Sequence, residues 1–239
     1  MVLNFTQEEL SFIAKQFGYE HLEGADFVKF NKNRCISSLT EKGYVIPYGK
    51  IFELSNECRL LLSTWESIRY TLAKDSCLSD EYVHAILANS ERIISYSLHL
   101  NDIQIAMCDF SVEVMDQIIT DYLDIVECNN CCTGFNITFT DDEYLSYFAS
   151  DTPSELICKK TGLSPDDVSL IKQSLANEKG TSFIVQDVVE DIGCMGILTK
   201  CSDGYVLVKH IVPNNDISNQ KIVISKGNSQ DIVDSIYIL

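Results

Sequence analysis

Positive charge is scarce in this chain. Eighteen Lys and Arg stand against thirty-five Asp and Glu, a formal net charge of -17. A polyanion of that size repels phosphate backbones and anionic lipid surfaces unless its charges are sharply segregated, so nucleic acid and membrane are poor partners. Long apolar runs are missing too, none approaching the roughly 18 residues that a membrane-spanning helix needs. The opening Met1-Val-Leu-Asn-Phe-Thr6 has neither the basic nor the apolar region of a secretory signal, and the expectation is a soluble, cytosolic protein. Catalytic signatures are equally sparse. Gly227-Asn228-Ser229 precedes a helical pattern but lacks the spacing and the lysine of a phosphate loop. His21, His84, His99 and His210 lie far apart, with no His-x-x-x-His pair and no nucleophile elbow. No cofactor, metal or catalytic residue is expected.

What is present is core-forming material. The 239 residues are 46% apolar, enough for one large core or two fused halves. Ten cysteines would suggest disulfides in a small secreted domain, but Cys35, Cys58 and Cys158 sit at core-like positions and read as small reduced apolar residues. Cys128-Asn-Asn-Cys131-Cys132 has a zinc-compatible spacing, although a closed site needs four ligands and would have to recruit Cys194, Cys201 or a distant histidine. Reduced thiols in a joint are the plainer reading. Asp187, Glu190 and Asp191 beside Gly193 could gather around a divalent cation or simply solvate a strand end.

Periodicity shows one unit used twice. From Gly193 to Leu239 the pattern is strand (196–201), an Asp203-Gly204 turn, strand (205–212), strand (221–225) and a closing helix over Ser229 to Ile238. The stretch from His84 to Leu123 repeats that order, with Ile86, Ile94, Tyr96, Leu98, Ile103 and Ile105 following the period of two of a half-buried meander. Laid over each other, Ser111, Val114, Asp116 and Ile118 fall on Ser229, Ile232, Asp234 and Ile236. The openings match as well: Phe5-Thr6-Gln-Glu-Glu9 and Phe139-Thr140-Asp-Asp-Glu143 each spell a capping box, in which the hydroxyl bonds an early helix amide and the glutamate reaches back. The pattern predicts an α+β fold, a central antiparallel sheet with flanking helices in two quasi-repeated halves, 1–125 and 139–239, with a joint at 126–138.

Between these landmarks, helices are expected at Gln7 to Phe17, Asn33 to Glu41 and, capped by Ser55, through Lys74, the last burying Cys58, Leu61, Leu62, Trp65, Ile68 and Leu72. Phe27 to Phe30 reads as a short strand and Tyr44 to Ile51 as a turn-rich connection. Two further helices are expected, Pro153 to Lys160 behind a Thr152 cap and Pro165 to Glu178 behind Ser164, before a strand at Ser182 to Val189. The segments Ser37 to Val45 and Ser154 to Pro165 look like pieces of helix-turn-helix units. A DNA-reading helix should be basic, whereas Pro165 to Glu178 sets Lys172 among Asp166, Asp167 and Glu178. Such a shape would serve as scaffold or protein-binding surface.

The sequence of pieces now carries a resemblance. A capped N-terminal helix, the Leu39-x-x-x-Gly43-Tyr44-Val45 segment, a helix, a meander with closing helix, and a second copy ending in strand, Asp203-Gly204 turn and strand resemble EspG, the cytosolic chaperone family of type VII secretion. The resemblance implies a quasi-two-fold α+β fold without cofactor or catalysis. Its members hold the exposed apolar tip of a small helical-hairpin secretion substrate through a loop of the central sheet and helices of the second half. The counterparts in this chain are His99, Leu100, Asn101 and Asp102, together with exposed residues of Pro153 to Glu178. The chain departs from the family's usual composition in being rich in Cys and Ile and poor in Gly and Ala. Two other classes fit the composition: an acidic immunity or inhibitor protein that neutralises a basic partner, and an enzyme whose site assembles only in space.

Overall fold

The computed structural model describes every residue except 24, 49–50, 79–81, 129–133, 149–151, 177–179, 215 and 238–239. The chain divides into two compact units, Met1–Ser111 and Val112–Leu239. The first begins with β1 (Val2–Thr6), which feeds directly into α1 (Gln7–Gln16). The predicted capping box sets that junction: the Glu9 amide donates to Thr6 Oγ1 at 3.2 Å, and the Thr6 amide donates to Glu9 Oε2 at 2.7 Å. Two donors that a helix start would otherwise leave orphaned are thereby satisfied. Helix α2 (Lys32–Glu41) starts on an Asn31 cap, and the chain leaves it through Gly43 at φ 74, the left-handed conformation that favours glycine.

Three expectations for this unit need correction. Phe27 to Phe30 forms no strand; the Val28 amide donates to Ser11 Oγ of α1 instead of entering a ladder. The stretch after Tyr44 is not a simple connection but a hairpin, β2 (Val45–Tyr48) with β3 (Ile51–Leu54). The Ser55-capped helix α3 (Asn56–Glu66) does not reach Lys74, because Tyr70–Leu78 is strand β4. Ser67 ends the helix: its hydroxyl donates to the carbonyls of Ser63 and Thr64, and the Asn89 amide group also donates to Thr64 O and to Ser67 Oγ. Arg69 N then donates to Ala88 O, and the sheet ladder begins. Ile68 and Leu72 are nonetheless buried. Positions four apart share a face in a strand as well as in a helix, so the apolar spacing there could not distinguish the two.

The unit's sheet has the order β1-β7-β6-β5-β4, antiparallel throughout, with β5 (Tyr82–Ala88), β6 (Arg92–His99) and β7 (Asp102–Asp109) as the expected meander. Its core gathers Leu3, Phe5, Leu10, Phe12, Ile13, Trp65, Tyr96 and Leu98 among others. Trp65 is buried and donates its indole N–H to Glu23 O at 2.9 Å, as a core tryptophan should.

The second unit opens on α4 (Val112–Tyr122) and then repeats the scheme: β8 (Phe135–Thr140) runs into α5 (Asp141–Phe148) through the Thr140/Glu143 capping box. Helix α6 (Ser154–Thr161) has no side-chain cap, because Pro153, expected as its first helical residue behind a Thr152 cap, itself occupies the N-cap position and has no side-chain acceptor; the Thr152 hydroxyl donates to Ser146 O. It turns at Gly162 into α7 (Pro165–Leu175), which Ser164 caps as expected; Glu178 lies outside the described residues. Strands β9 (Thr181–Asp187), β10 (Ile192–Lys200), β11 (Tyr205–Pro213) and β12 (Lys221–Gly227) pair in the order β9-β10-β11-β12-β8. The first strand of this unit in chain order lies beside its last, β8 beside β12 as β1 beside β7. Helix α8 (Ser229–Tyr237) closes the chain. Gln230 Nε2 donates to both Asp116 Oδ2 and Asp234 Oδ1, but the other expected correspondences of the closing helices do not share an environment: Val114 is exposed where Ile232 is buried, and α4 buries Met115 and Ile119 instead.

One face of this sheet carries Val206, Val208, Ile222, Ile224 and Phe139, which form a core with Ile157, Val168 and Ile171 from α6 and α7. Lys226 pins α7 to it, with its ammonium 3.4 Å from Asp167 and 3.2 Å from Asp203. On the opposite face Gly196 lies under the ring of Phe183, where an added Cβ would come within 2.2 Å of Cζ. Here it is close approach, not backbone freedom, that calls for glycine.

Candidate partner-binding surfaces

His99, Leu100, Asn101 and Asp102 form the tight connection between β6 and β7: His99 and Asp102 are the last paired residues, and Leu100 and Asn101 make the turn. All four are exposed. Leu100 holds φ 58 and leaves 54% of its surface in water. A left-handed backbone is costly for a residue with a Cβ, and asparagine or glycine is the usual occupant of such a turn. The turn therefore presents a large apolar side chain from a conformation that local preference would not select. Outliers of this kind gather where a surface is shaped for contact.

The turn is fastened by the helix start beside it. The Gln7 amide donates to Asn101 O at 2.9 Å. Asn101 also lines a groove of about 430 Å³ together with Thr6, Glu9, Arg34, Cys35 and Ser38. Glu9 is only 3% exposed, and its carboxylate lies 2.7 Å from Lys42 Nζ. Burial alone would push the Glu9 carboxyl up, but bonds from Lys42, Ser38 and the Thr6 amide outweigh it and hold the pKa below the ordinary glutamate value. This part of the groove is a satisfied ionic anchor, rigid and unsuited to proton transfer.

In the second unit the sequence pointed to α6 and α7. Leu156 on α6 is exposed, while Ile157, Val168 and Ile171 face the core; Leu145 on α5, outside the stretch the sequence indicated, is exposed as well. A second apolar surface was missed. Met195 on β10 stands directly opposite Ile184 on β9 and is 61% exposed, and Val189, in the turn between the strands, is 66% exposed. Their alternation with the buried Phe183, Val185 and Cys194 was visible in the sequence, but nothing in a single strand says which apolar face a helix will cover.

Several of the residues with potential for chemistry have structural roles among the described residues. Asp187 is buried and accepts the amides of Val189 and Glu190, closing the turn in which Asp191 takes φ 52. Cys35 and Cys58 are buried as expected, and Cys158 is half-buried. Burial pushes the Cys194 thiol up to about 11, only partly offset by Lys209, so it stays protonated and unreactive at neutral pH. Cys128 is half-buried, while Cys131 and Cys132 lie outside the described residues. Among the described residues no cluster of His, Cys, Asp or Glu could hold a metal ion. His84 lies 3.2 Å from Ser95 Oγ, and His210 packs edge-on to Tyr144 with ring centroids 5.3 Å apart. Burial lowers the pKa of both, as does the Lys74 charge for His84, while Asp141 opposes the shift at His210. No helix among the described residues is long and apolar enough to cross a membrane.

No protein-family model matches the chain, and no curated protein matches it. Among solved structures the chain is similar to EspG5, the type VII secretion system chaperone of Mycobacterium tuberculosis, in a structure titled as its complex with a PE25-PPE41 dimer. The TM-score is 0.61 and the identity 10%, over 99% of this chain and 94% of that one. At that identity the likeness is one of fold: the chain has an EspG-like α+β fold.

Proposed function

We propose that this chain is a non-enzymatic, cytosolic binding protein that acts as a secretion chaperone and shields the apolar tip of a helical-hairpin partner on the β6–β7 turn. The observation that carries this reading is Leu100, a solvent-facing leucine held at φ 58 on a turn fastened to α1. The likeness of fold to a chaperone solved with its partner dimer supports it. Recognition of this type needs a rigid scaffold, an apolar contact and a polar rim, and no reacting residue. His99, Asn101 and Asp102 supply the rim.

Tagged chain purified gently from its native host tests the proposal when run beside Leu100→Asp. The expected result is a small helical protein in near-equal amount with the wild type and at least tenfold less with the variant, since a charge forced into a desolvated contact costs on the order of 2 kcal/mol. Far-UV circular dichroism and a melting temperature within a few degrees of wild type would show the variant folded. Recovery of a basic toxin would move the case to an inhibitor. A chain that emerges alone, or a capture that Leu100→Asp leaves unchanged, would overturn the chaperone reading.

A further inference from the structure

Each unit ends in an edge strand, and the two edges are treated differently. On β1 the outward groups of the central residue are occupied: the Asn4 amide donates to Tyr44 Oη at 3.0 Å, and Lys42 Nζ donates to Asn4 O at 3.2 Å. Side chains from the end of α2 thus block that edge from further pairing, one of the ways in which proteins keep sheets from growing. Strand β8 has no such cover among the described residues.

The direction of its backbone groups follows from the capping box. Thr140 N donates to Glu143 Oε2, so Thr140 and its partner Lys221 exchange no ladder bonds. In an antiparallel ladder the bonded and unbonded pairs alternate. Thr138 opposite Val223 and Asn136 opposite Ser225 are therefore unbonded pairs, and their N–H and C=O groups point away from β12. The same parity places Asn4 outward on β1, two residues before its own capping threonine, where its bonds to Tyr44 and Lys42 are found. The sequence of β8, Phe-Asn-Ile-Thr-Phe-Thr, has no charge and no proline, which leaves it without the usual protection of an edge.

Next to that edge lies a groove of about 470 Å³, lined among others by Phe135, Asn136, Lys226 and, from α8, Asp231, Asp234 and Ser235; the Lys226 ammonium is itself engaged by Asp167 and Asp203. Asp231 and Asp234 are exposed. We propose that β8 accepts an extended segment of a partner protein as an added strand, and that the segment carries Lys or Arg alternating with apolar residues. Four backbone groups of Asn136 and Thr138 bond it. Residues beside Asn136 and Thr138 face the Asp231/Asp234 groove and are basic, and the residues between them lie beside Phe135, Ile137 and Phe139. The net charge of -17 favours such a segment over a second copy of this chain. A β8-to-β8 pair would also bring the acidic start of each α5, Asp141-Asp142-Glu143, against the other copy.

The probe is a blocked synthetic heptapeptide alternating lysine with valine and threonine, titrated into the full chain and followed by fluorescence anisotropy and amide exchange. Binding should slow exchange at Asn136 and Thr138, and replacing the lysines with glutamates should weaken it at least tenfold. A peptide N-methylated on the residues that face β8 should also bind about tenfold more weakly, because it cannot donate to the strand. Thr138→Pro removes an outward donor without touching the β12 ladder and should lower affinity by a similar factor at low salt. Asp234→Asn should lower it several-fold at low salt and have little effect at high salt. The proposal is overturned if the lysine peptide fails to bind at millimolar concentration, if the glutamate or N-methylated peptide binds equally well, if protection appears away from β8, or if the chain alone forms a dimer protected at β8. None of these outcomes depends on Leu100, so they leave the chaperone reading standing or falling on its own test.

Discussion

The two strand-to-helix openings carry the same capping box and bury it very differently. At Thr6 the glutamate partner is buried and ion-paired, and α1 buries Leu10, Phe12, Ile13 and Ala14. At Thr140 the box is exposed and α5 buries no residue at all. The difference comes from what lies over each junction. The end of α2 brings Lys42 to Glu9 and Tyr44 to Asn4, whereas Tyr144 and Phe148 of α5 only flank His210 and Phe139. A local motif sets the start of a helix, and tertiary cover sets how much stability hangs on it.

That comparison can be broken most forcefully in the core. Phe12 packs its ring 5.5 Å from Phe30 and 5.6 Å from Phe52, so Phe12→Ala should cost roughly 3–5 kcal/mol. Leu145→Ala on the equivalent helix should stay within about 0.5 kcal/mol. Urea unfolding followed by the single Trp65, which sits in the first unit, reads the first effect directly; circular dichroism reads both. Equal losses would mean that α5 is covered as thoroughly as α1.

The caps themselves give the next effect. Glu9→Ala removes the cap bond from the Thr6 amide, keeps the one its own amide donates to Thr6 Oγ1, and leaves the Lys42 ammonium without its buried partner, which should cost about 2 kcal/mol. Glu143→Ala should cost no more than about 1 kcal/mol. The pH dependence has the same asymmetry. Because the folded pKa of Glu9 lies below its ordinary value of 4.5, its contribution is fully present above that value and is lost as pH falls through the lowered one. Wild type should therefore lose stability in that acid window faster than Glu9→Ala does, measured as the difference between their urea midpoints from pH 6 to pH 3. Parallel curves would show that the pair contributes nothing.

Much of this fold was legible because its signals are local. The capping boxes at Thr6 and Thr140, the glycine stop at Gly43, the Ser164 cap and the period-two meander each concern residues a few positions apart, and each stands where the pattern put it. The errors arose where partners distant in sequence decide. Ser67 ends α3 with help from Asn89, and β4 forms because β5 is there to pair with it. Surfaces were the least legible part. The turn at His99 to Asp102 could be located, but the left-handed backbone of Leu100 could not, since leucine gives no local reason for it. The exposure of Met195 and Ile184 depends on where α6 and α7 stop, which no strand pattern encodes.

Leu100 also separates fold from function most finely. Leu100→Gly relieves a left-handed backbone that costs a side-chain-bearing residue on the order of 1 kcal/mol. Against this, the more flexible unfolded chain of a glycine variant takes back about half of the gain. The side chain is more than half exposed, so its removal forfeits little packing. The net expectation is a chain more stable by about 0.5 kcal/mol, seen as a small rise in melting temperature. Capture of the proposed helical partner should fall at the same time, because the turn's apolar side chain is gone. A residue retained for folding would show the opposite pair of signs, a lower melting temperature with partner capture unchanged per folded molecule. The opposition between stability and capture at this one position is what a turn shaped for contact requires.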